Sequence, residues 1–197
     1  MTRKLLILSA VAFAYLLARQ WEERPIAHAP GVLVPQTPAQ TDLQTSTFMM
    51  DGYQLTRRAE FEIQARVLST RNYYLGHESD LSPLDLALGW GVMSDQAVLD
   101  RIKISQSSRW YRARWDFPAP LSEQQFIANS SNMHMIPARK GIKDSLKELR
   151  SGDLVTLNGY LVDVDHASGW RWRTSLSRTD TGSGACEIVY VESLMVE

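Results

Sequence analysis

The sequence predicts an α+β domain: an antiparallel sheet or partly closed β-barrel with about four short helices, preceded by an N-terminal hydrophobic helix. Three observations predict it. Several runs alternate apolar and polar residues with the period of two that a half-buried strand requires. Short stretches with helix-capping signatures lie between them. A charge-free apolar run stands near the start, behind two basic residues. The strongest periodic signal runs from Gly152 to Val191, which also holds the only cysteine, Cys186.

Arg3 and Lys4 precede the fourteen uncharged residues Leu5 to Ala18, and Arg19, Gln20 and Trp21 follow. At about 1.5 Å per residue that run covers roughly 21 Å of a hydrocarbon core about 30 Å thick. Extension through Gln20 and Trp21, with Arg19 snorkelling to the interface, lengthens it enough to anchor. Residues 1–21 therefore read first as a membrane anchor, with the inner membrane contacted through residues 5–21. A secretory signal segment is the second reading, although Ala12-Phe13-Ala14, the small-x-small triplet, sits inside the apolar run. In both cases the basic start stays inside and the bulk of the chain is exported. With one cysteine no internal disulfide can form, so the domain must rely on its core.

Residues 22–50 carry Pro25, Pro30, Pro35 and Pro38 among Gln, Thr and Ala. They read as an extended tether, with His28 an incidental linker residue. The domain is expected over residues 51–197. Phe61, Ile63, Ala65 and Val67 alternate with polar residues and predict a strand with one wet face, which Tyr73 to Gly76 continue past a bend. Three helices with similar start signals follow. Ser82 with Pro83 predicts a helix over 83–88, Ser94 with Asp95 one over 95–103, and Ser122 with Gln125, the capping-box spacing, one over 123–129. Gly89 and Gly91 flank Trp90, which reads as a core plug or as a ligand-stacking ring. Arg109 to Trp115 predicts a strand ending before Pro118 and Pro120. A fourth helix, 142–149, presents Ile142, Leu146 and Leu149 on one face, and Gly152 stops it in a left-handed conformation. Leu154 to Val164 is a strand, joined by the bulged hairpin Asp165 to Gly169 to the alternating run Trp170 to Leu176. Cys186 to Val191 completes three antiparallel strands.

The least ordinary stretch is Asn129 to Pro137, which crowds two amides, two hydroxyls and an imidazole into six positions. It reads as a structural loop, or as a site in which Asn132 and His134 alternate on an extended backbone and point the same way. The candidate ligand-binding residues are Trp90, Asn132, His134 and Arg178. The basic and aromatic residues of Arg109 to Trp115 have the composition of a single-strand platform. A net charge of −1 and the expected export argue against nucleic acid as a partner. His28, His77, His134 and His166 are scattered without ligand spacing, so no metal and no cofactor is expected. A thiol scheme would use Cys186 as nucleophile, His134 as base and Asn132 or Asp180 as orienter. It meets the objection that Cys186 opens an apolar strand, where a lone cysteine is a small buried hydrophobe.

The segments GWGVMSD (89–95), SSNMHMIPA (130–138) and WRWRTSLSRTDTGSGACE (170–187) together resemble an uncharacterised family of bacterial envelope proteins with an N-terminal hydrophobic segment. That resemblance covers most of the domain and implies bacterial origin and export, with no assigned activity. The implied location is a bacterial inner membrane, single-pass with the C-terminal domain in the periplasm, or secreted or periplasmic after signal cleavage. The run Gly152 to Gly159, of the form GD-x-V-x-x-x-G, is similar to a strand start common in small OB-like barrels. Gly182 to Cys186 has a passing likeness to the cysteine motif of L,D-transpeptidases. It departs from that motif at Gly184, where histidine is expected, and at Ile188, where arginine is expected. The expectation is a membrane-tethered extracytoplasmic binding or assembly module with a protein or envelope-ligand partner. The alternative is a thiol-dependent cell-envelope hydrolase or transferase using Cys186 and His134.

Overall fold

The computed structural model describes residue 13 and residues 24–197 other than 179, 181 and 183. The described residues form a mixed α+β structure whose core is mostly sheet. In order they are β1 (Ala39–Met50), β2 (Tyr53–Asn72), α1 (His77–Leu81), β3 (Leu84–Gly89), a 3-10 turn (Gly91–Ser94) and α2 (Gln96–Leu99). There follow β4 (Ile102–Ser107), β5 (Trp110–Trp115), α3 (Glu123–Asn129), β6 (Ser130–Pro137), α4 (Lys140–Glu148), β7 (Leu154–His166), β8 (Arg171–Trp172) and β9 (Glu187–Val196).

The strand pairings run β2–β3–β6–β9–β7, and β7 pairs back onto β2, so the sheet is partly ring-like. All these pairs are antiparallel except β6 with β9, which is parallel. The expected antiparallel grouping holds for β7 with β8 and β9 and is corrected at that one junction. β4 and β5 form a separate hairpin inserted between β3 and β6.

Strand β2 contributes to two apolar clusters, and its ladder with β7 slips between Arg57 and Ala59. One extra residue in a strand reverses which side chains face which side. Tyr53 and Leu55, before the slip, join a cluster with Val162, Val164, Ile136 and Ile188. Ala59, Phe61, Ile63, Ala65 and Val67, after it, join the larger cluster. That larger cluster draws on all five ring strands and on Ile142, Leu146 and Leu149 at α4. Side chains from every strand of a ring can meet only inside it. Gly159 is required where β9 crosses β7, since a Cβ there would lie 1.8 Å from the Tyr190 carbonyl oxygen.

Several sequence expectations hold. Ser122 accepts from the Gln125 backbone N–H while the Gln125 side chain accepts from the Ser122 N–H, so α3 starts on a full capping box. Trp90 is buried and contributes to the larger cluster. Gly152 does take a positive φ, +101°, packed on Ile26, but it is not what stops the helix: α4 ends at Glu148 with Leu149 as an extended C-cap.

Others are corrected. The helix expected over 83–88 is the strand β3. The period-two set Leu84, Leu86 and Leu88, which enters the ring core, overrides the Ser82-Pro83 start signal, and Ser82 instead ends α1. The helix expected over 95–103 shrinks to Gln96–Leu99, capped by Asp95, whose side chain accepts from the Ala97 N–H. Ser94 is not its cap; its hydroxyl accepts from Leu33 and Val34 and donates to the Gly91 carbonyl. The strand expected over 170–176 stops at Trp172, because the Thr174 N–H turns to the Asp163 carboxylate rather than to a ladder carbonyl.

The stretch read as a tether is ordered in two pieces. Residues Ala39–Met50 pair with β2 as β1. Nearer the start, Ile26 donates to the Ser151 carbonyl, the His28 ring nitrogen Nε2 lies 2.7 Å from the Gly152 carbonyl, and Val34 is buried. The expected anchor segment 1–21 lies outside the described residues except for Phe13. Among the described residues no helix is long and apolar enough to cross a membrane.

Candidate functional site

The site is framed by the inserted hairpin. Ser108 and Arg109 connect β4 to β5 with φ of 52° and 65°, a tight left-handed turn that sends the Arg109 side chain back toward the ring. On β3, Asp85 and Ala87 face away from the leucines of the core. In the β3–β6 register they stand opposite His134 and Asn132.

Asp85 is wholly buried, and its Oδ1 accepts from Arg109 Nη1 at 2.7 Å and from His134 Nδ1 at 2.9 Å. A carboxylate held by a guanidinium can only accept, so the His134 Nδ1 carries the proton of that bond. Arg109 also donates to Ser79 Oγ and the Ser82 carbonyl and lies 4.0 Å over the Tyr73 ring. Asn132 Oδ1 accepts from Gln106 Nε2 at 2.7 Å, while its Nδ2 donates to the Arg109 carbonyl at 3.1 Å and reaches Asp85 Oδ2 at 3.4 Å. Asn132 and His134 do share one face, as the alternation requires. Asn132 bonds Gln106 and the Arg109 carbonyl of the hairpin directly, and His134 connects to Arg109 through Asp85.

Beside this latch, between β5, α3 and the segment leading into β9, lies a cavity of about 430 Å³. Small-molecule sites fall at roughly 300–1,000 Å³. One wall is aromatic. Tyr111 stacks on Phe126 with centroids 5.5 Å apart, Trp115 meets the same ring at 5.8 Å, and Trp110 extends the wall. Trp90 closes it from below, its indole N–H donating to the Ala128 carbonyl at 3.1 Å.

The opposite wall is polar. Arg178 Nη1 stands 2.6 Å from Glu187 Oε1, and Ser131 Oγ donates to Glu187 Oε2 at 2.5 Å. Glu187 falls on the same side of β9 as the core residues Val189 and Val191, and Arg178 lies 5.5 Å over the core ring of Phe61. The pair therefore plugs the end of the ring. Burial pushes the Glu187 carboxyl up from the ordinary range, with Arg178 and Ser131 pulling the other way. The remaining guanidinium nitrogens of Arg178 are covered and have no hydrogen-bond partner among the described residues.

Cys186 also lines the cavity. Burial, reinforced by the Glu187 charge, pushes its thiol up to about 12, so it stays protonated at neutral pH. Burial likewise raises Tyr111 to about 12, and its hydroxyl is spent on Ser130. No group of three or more His, Cys, Asp or Glu able to hold a metal occurs among the described residues.

Of the four residues singled out from the sequence, Trp90, Asn132 and Arg178 reach this cavity and His134 does not. His134 packs instead on Trp172, with ring centroids 4.7 Å apart. The candidate residues drawn from the sequence did not include Trp110, Tyr111, Trp115, Phe126, Glu187 or the latch pair Asp85 and Arg109, although Arg109 to Trp115 stood out as a basic and aromatic run. A charged residue at the centre of the leucine-rich run Leu84 to Gly89 was the one signal for Asp85. The side chains Tyr111, Ala113 and Trp115 at period two were the signal for the aromatic wall.

These features describe a cavity built between an inserted hairpin and a partly ring-like sheet. No protein-family model, curated protein or solved structure matches the chain.

Proposed function

We propose that this protein is a non-catalytic binding module whose ligand occupies the cavity between the β4–β5 hairpin and the segment leading into β9. The observation that carries this reading is the aromatic wall of Trp110, Tyr111, Trp115 and Phe126 facing a polar wall across about 430 Å³. An apolar concavity with a few converging polar groups is the usual form of a small-molecule site.

The order of the ring strands supports reading the sheet as an OB-like barrel. The returning order β2–β3–β6–β9–β7, the one parallel pair and a helix between β6 and β7 are the arrangement of that fold. In it the face of the second and third strands and the loop before the last strand carry ligands. Here the cavity lies against the start of β6 and the segment before β9, the corresponding places. That is a fold-level analogy.

With the charged and apolar start of the sequence, the reading becomes a module tethered outside a bacterial inner membrane and binding an envelope ligand. A thiol-dependent hydrolase or transferase is the weaker reading, because burial raises the Cys186 thiol to about 12 and His134 does not line the cavity that Cys186 lines.

A ligand-observed NMR screen of a fluorinated fragment library tests the reading, run on the native chain beside an Ala113→Phe variant that fills the cavity from its wall. Fragments that bind the native protein and are lost in a folded variant are the expected result. If no fragment distinguishes the two proteins, the cavity is not a ligand site.

A further inference from the structure

The polarity of the cavity selects among ligands, and this inference rests on the binding-module reading above. Four charged residues line the cavity: Glu123, Arg178, Asp180 and Glu187. Arg178 and Glu187 compensate one another at 2.6 Å. Glu123, in the first turn of α3, and Asp180, whose Oδ2 accepts from Ser175 Oγ at 2.7 Å, remain. The balance of the lining is therefore negative, with Glu123 at the exposed start of the helix that carries Phe126 and Asp180 on the exposed segment before β9.

The Arg178 nitrogens are no anchor for an anion, since they are covered and their charge is met by Glu187. An anionic ligand would meet two carboxylates and a wall of aromatic rings. A cation with apolar substituents meets favourable partners on both sides. The aromatic wall accepts its alkyl groups and can attract its charge, while the carboxylates balance it from the rim. We propose that the cavity binds an organic ammonium group bearing small alkyl substituents.

The test is isothermal titration of the full chain with choline and with tetramethylammonium, beside 3,3-dimethylbutan-1-ol, the uncharged carbon isostere of choline. Choline is expected to bind at least about tenfold tighter than the isostere, the size of a desolvated cation–π contribution. The double variant Glu123→Gln/Asp180→Asn should weaken choline about fivefold or more and leave the isostere unchanged. Both substitutions keep side-chain shape, and the amide introduced at position 180 retains an oxygen for Ser175 Oγ, so thermal melts should match the native chain. Trp115→Leu should weaken both ligands. Phosphatidylcholine vesicles in a parallel arm tell a membrane headgroup from a free ammonium compound as its source.

Equal affinity for choline and its isostere would overturn the proposal, as would choline binding indifferent to the double carboxylate variant. Fragments that occupy the cavity while neither ammonium probe binds would overturn it too and leave the binding-module reading standing. Absence of both fragment and ammonium binding removes both.

Discussion

Arg109 reaches Asp85 at 2.7 Å from the tip of the β4–β5 hairpin, which pairs as a two-stranded sheet of its own. The pair joins the inserted β4–β5 unit to β3, and Asp85 extends the connection to His134 on β6. A carboxylate with no exposed surface holds two donors from two different elements, so removing it strands both. Breaking a buried pair from one side costs about 3–5 kcal/mol, because an uncompensated charge remains. Asp85→Ala is expected to lose that amount in urea unfolding. Arg109→Lys keeps the charge but loses the fork that also serves Ser79 and the Ser82 carbonyl, and should lose about 1–3 kcal/mol. A loss under about 1 kcal/mol for Asp85→Ala would mean that the latch does not hold the hairpin.

The state of Cys186 can be read directly. With its thiol raised to about 12, the thiolate fraction at pH 7.5 is about a thousandfold below that of a free thiol of ordinary pKa, and the thiolate is the reactive form. Labelling by a disulfide reagent at that pH should be at least about a hundredfold slower in the native chain than in urea. Reaction at the rate of an unfolded control would place an activated thiol in the cavity and revive the catalytic alternative.

What the sequence revealed of this architecture follows the range of the interactions involved. Local chemistry was legible. The Ser122-Gln125 box, the apolar face of Ile142, Leu146 and Leu149, and the alternation from Phe61 to Val67 are each completed within a few residues. Ser82-Pro83 misled because a start signal was weighed above the period of Leu84, Leu86 and Leu88, and only burial inside a ring makes that period decisive. β1 was hidden because its partner lies in β2 and its own residues are mostly exposed and polar. At the site, Trp90 and Arg178 were found as unusual residues in unusual contexts. The Asn132 and His134 cluster was found, but its partners Asp85, Gln106 and Arg109 were not, because they are far away in sequence. Nothing in a linear pattern brings Glu187 under Arg178 or Phe126 onto Tyr111. Those meetings are products of the ring closing.

Glu187 gives the plug a pH dependence with a definite sign. Its carboxyl is raised in the folded state, chiefly by burial, so the folded protein keeps that proton to higher pH than the unfolded chain does, where glutamate titrates near about 4.3. The stability it contributes is fully present below the unfolded value and is lost as pH rises through the folded one. Tyr53, Tyr111 and Cys186 are raised as well, to about 12, far above this window, so they add no slope there. Glu187→Gln keeps the shape and an acceptor for Ser131 Oγ and removes the titration. It also leaves Arg178 without its counter-charge, so the variant's absolute stability is not the quantity to compare. The slope is. Thermal melts from about pH 4 to about pH 8 should fall less steeply for the variant than for the native chain. Parallel profiles would mean that Glu187 titrates alike in both states, and that Arg178 and Ser131 fully offset its burial.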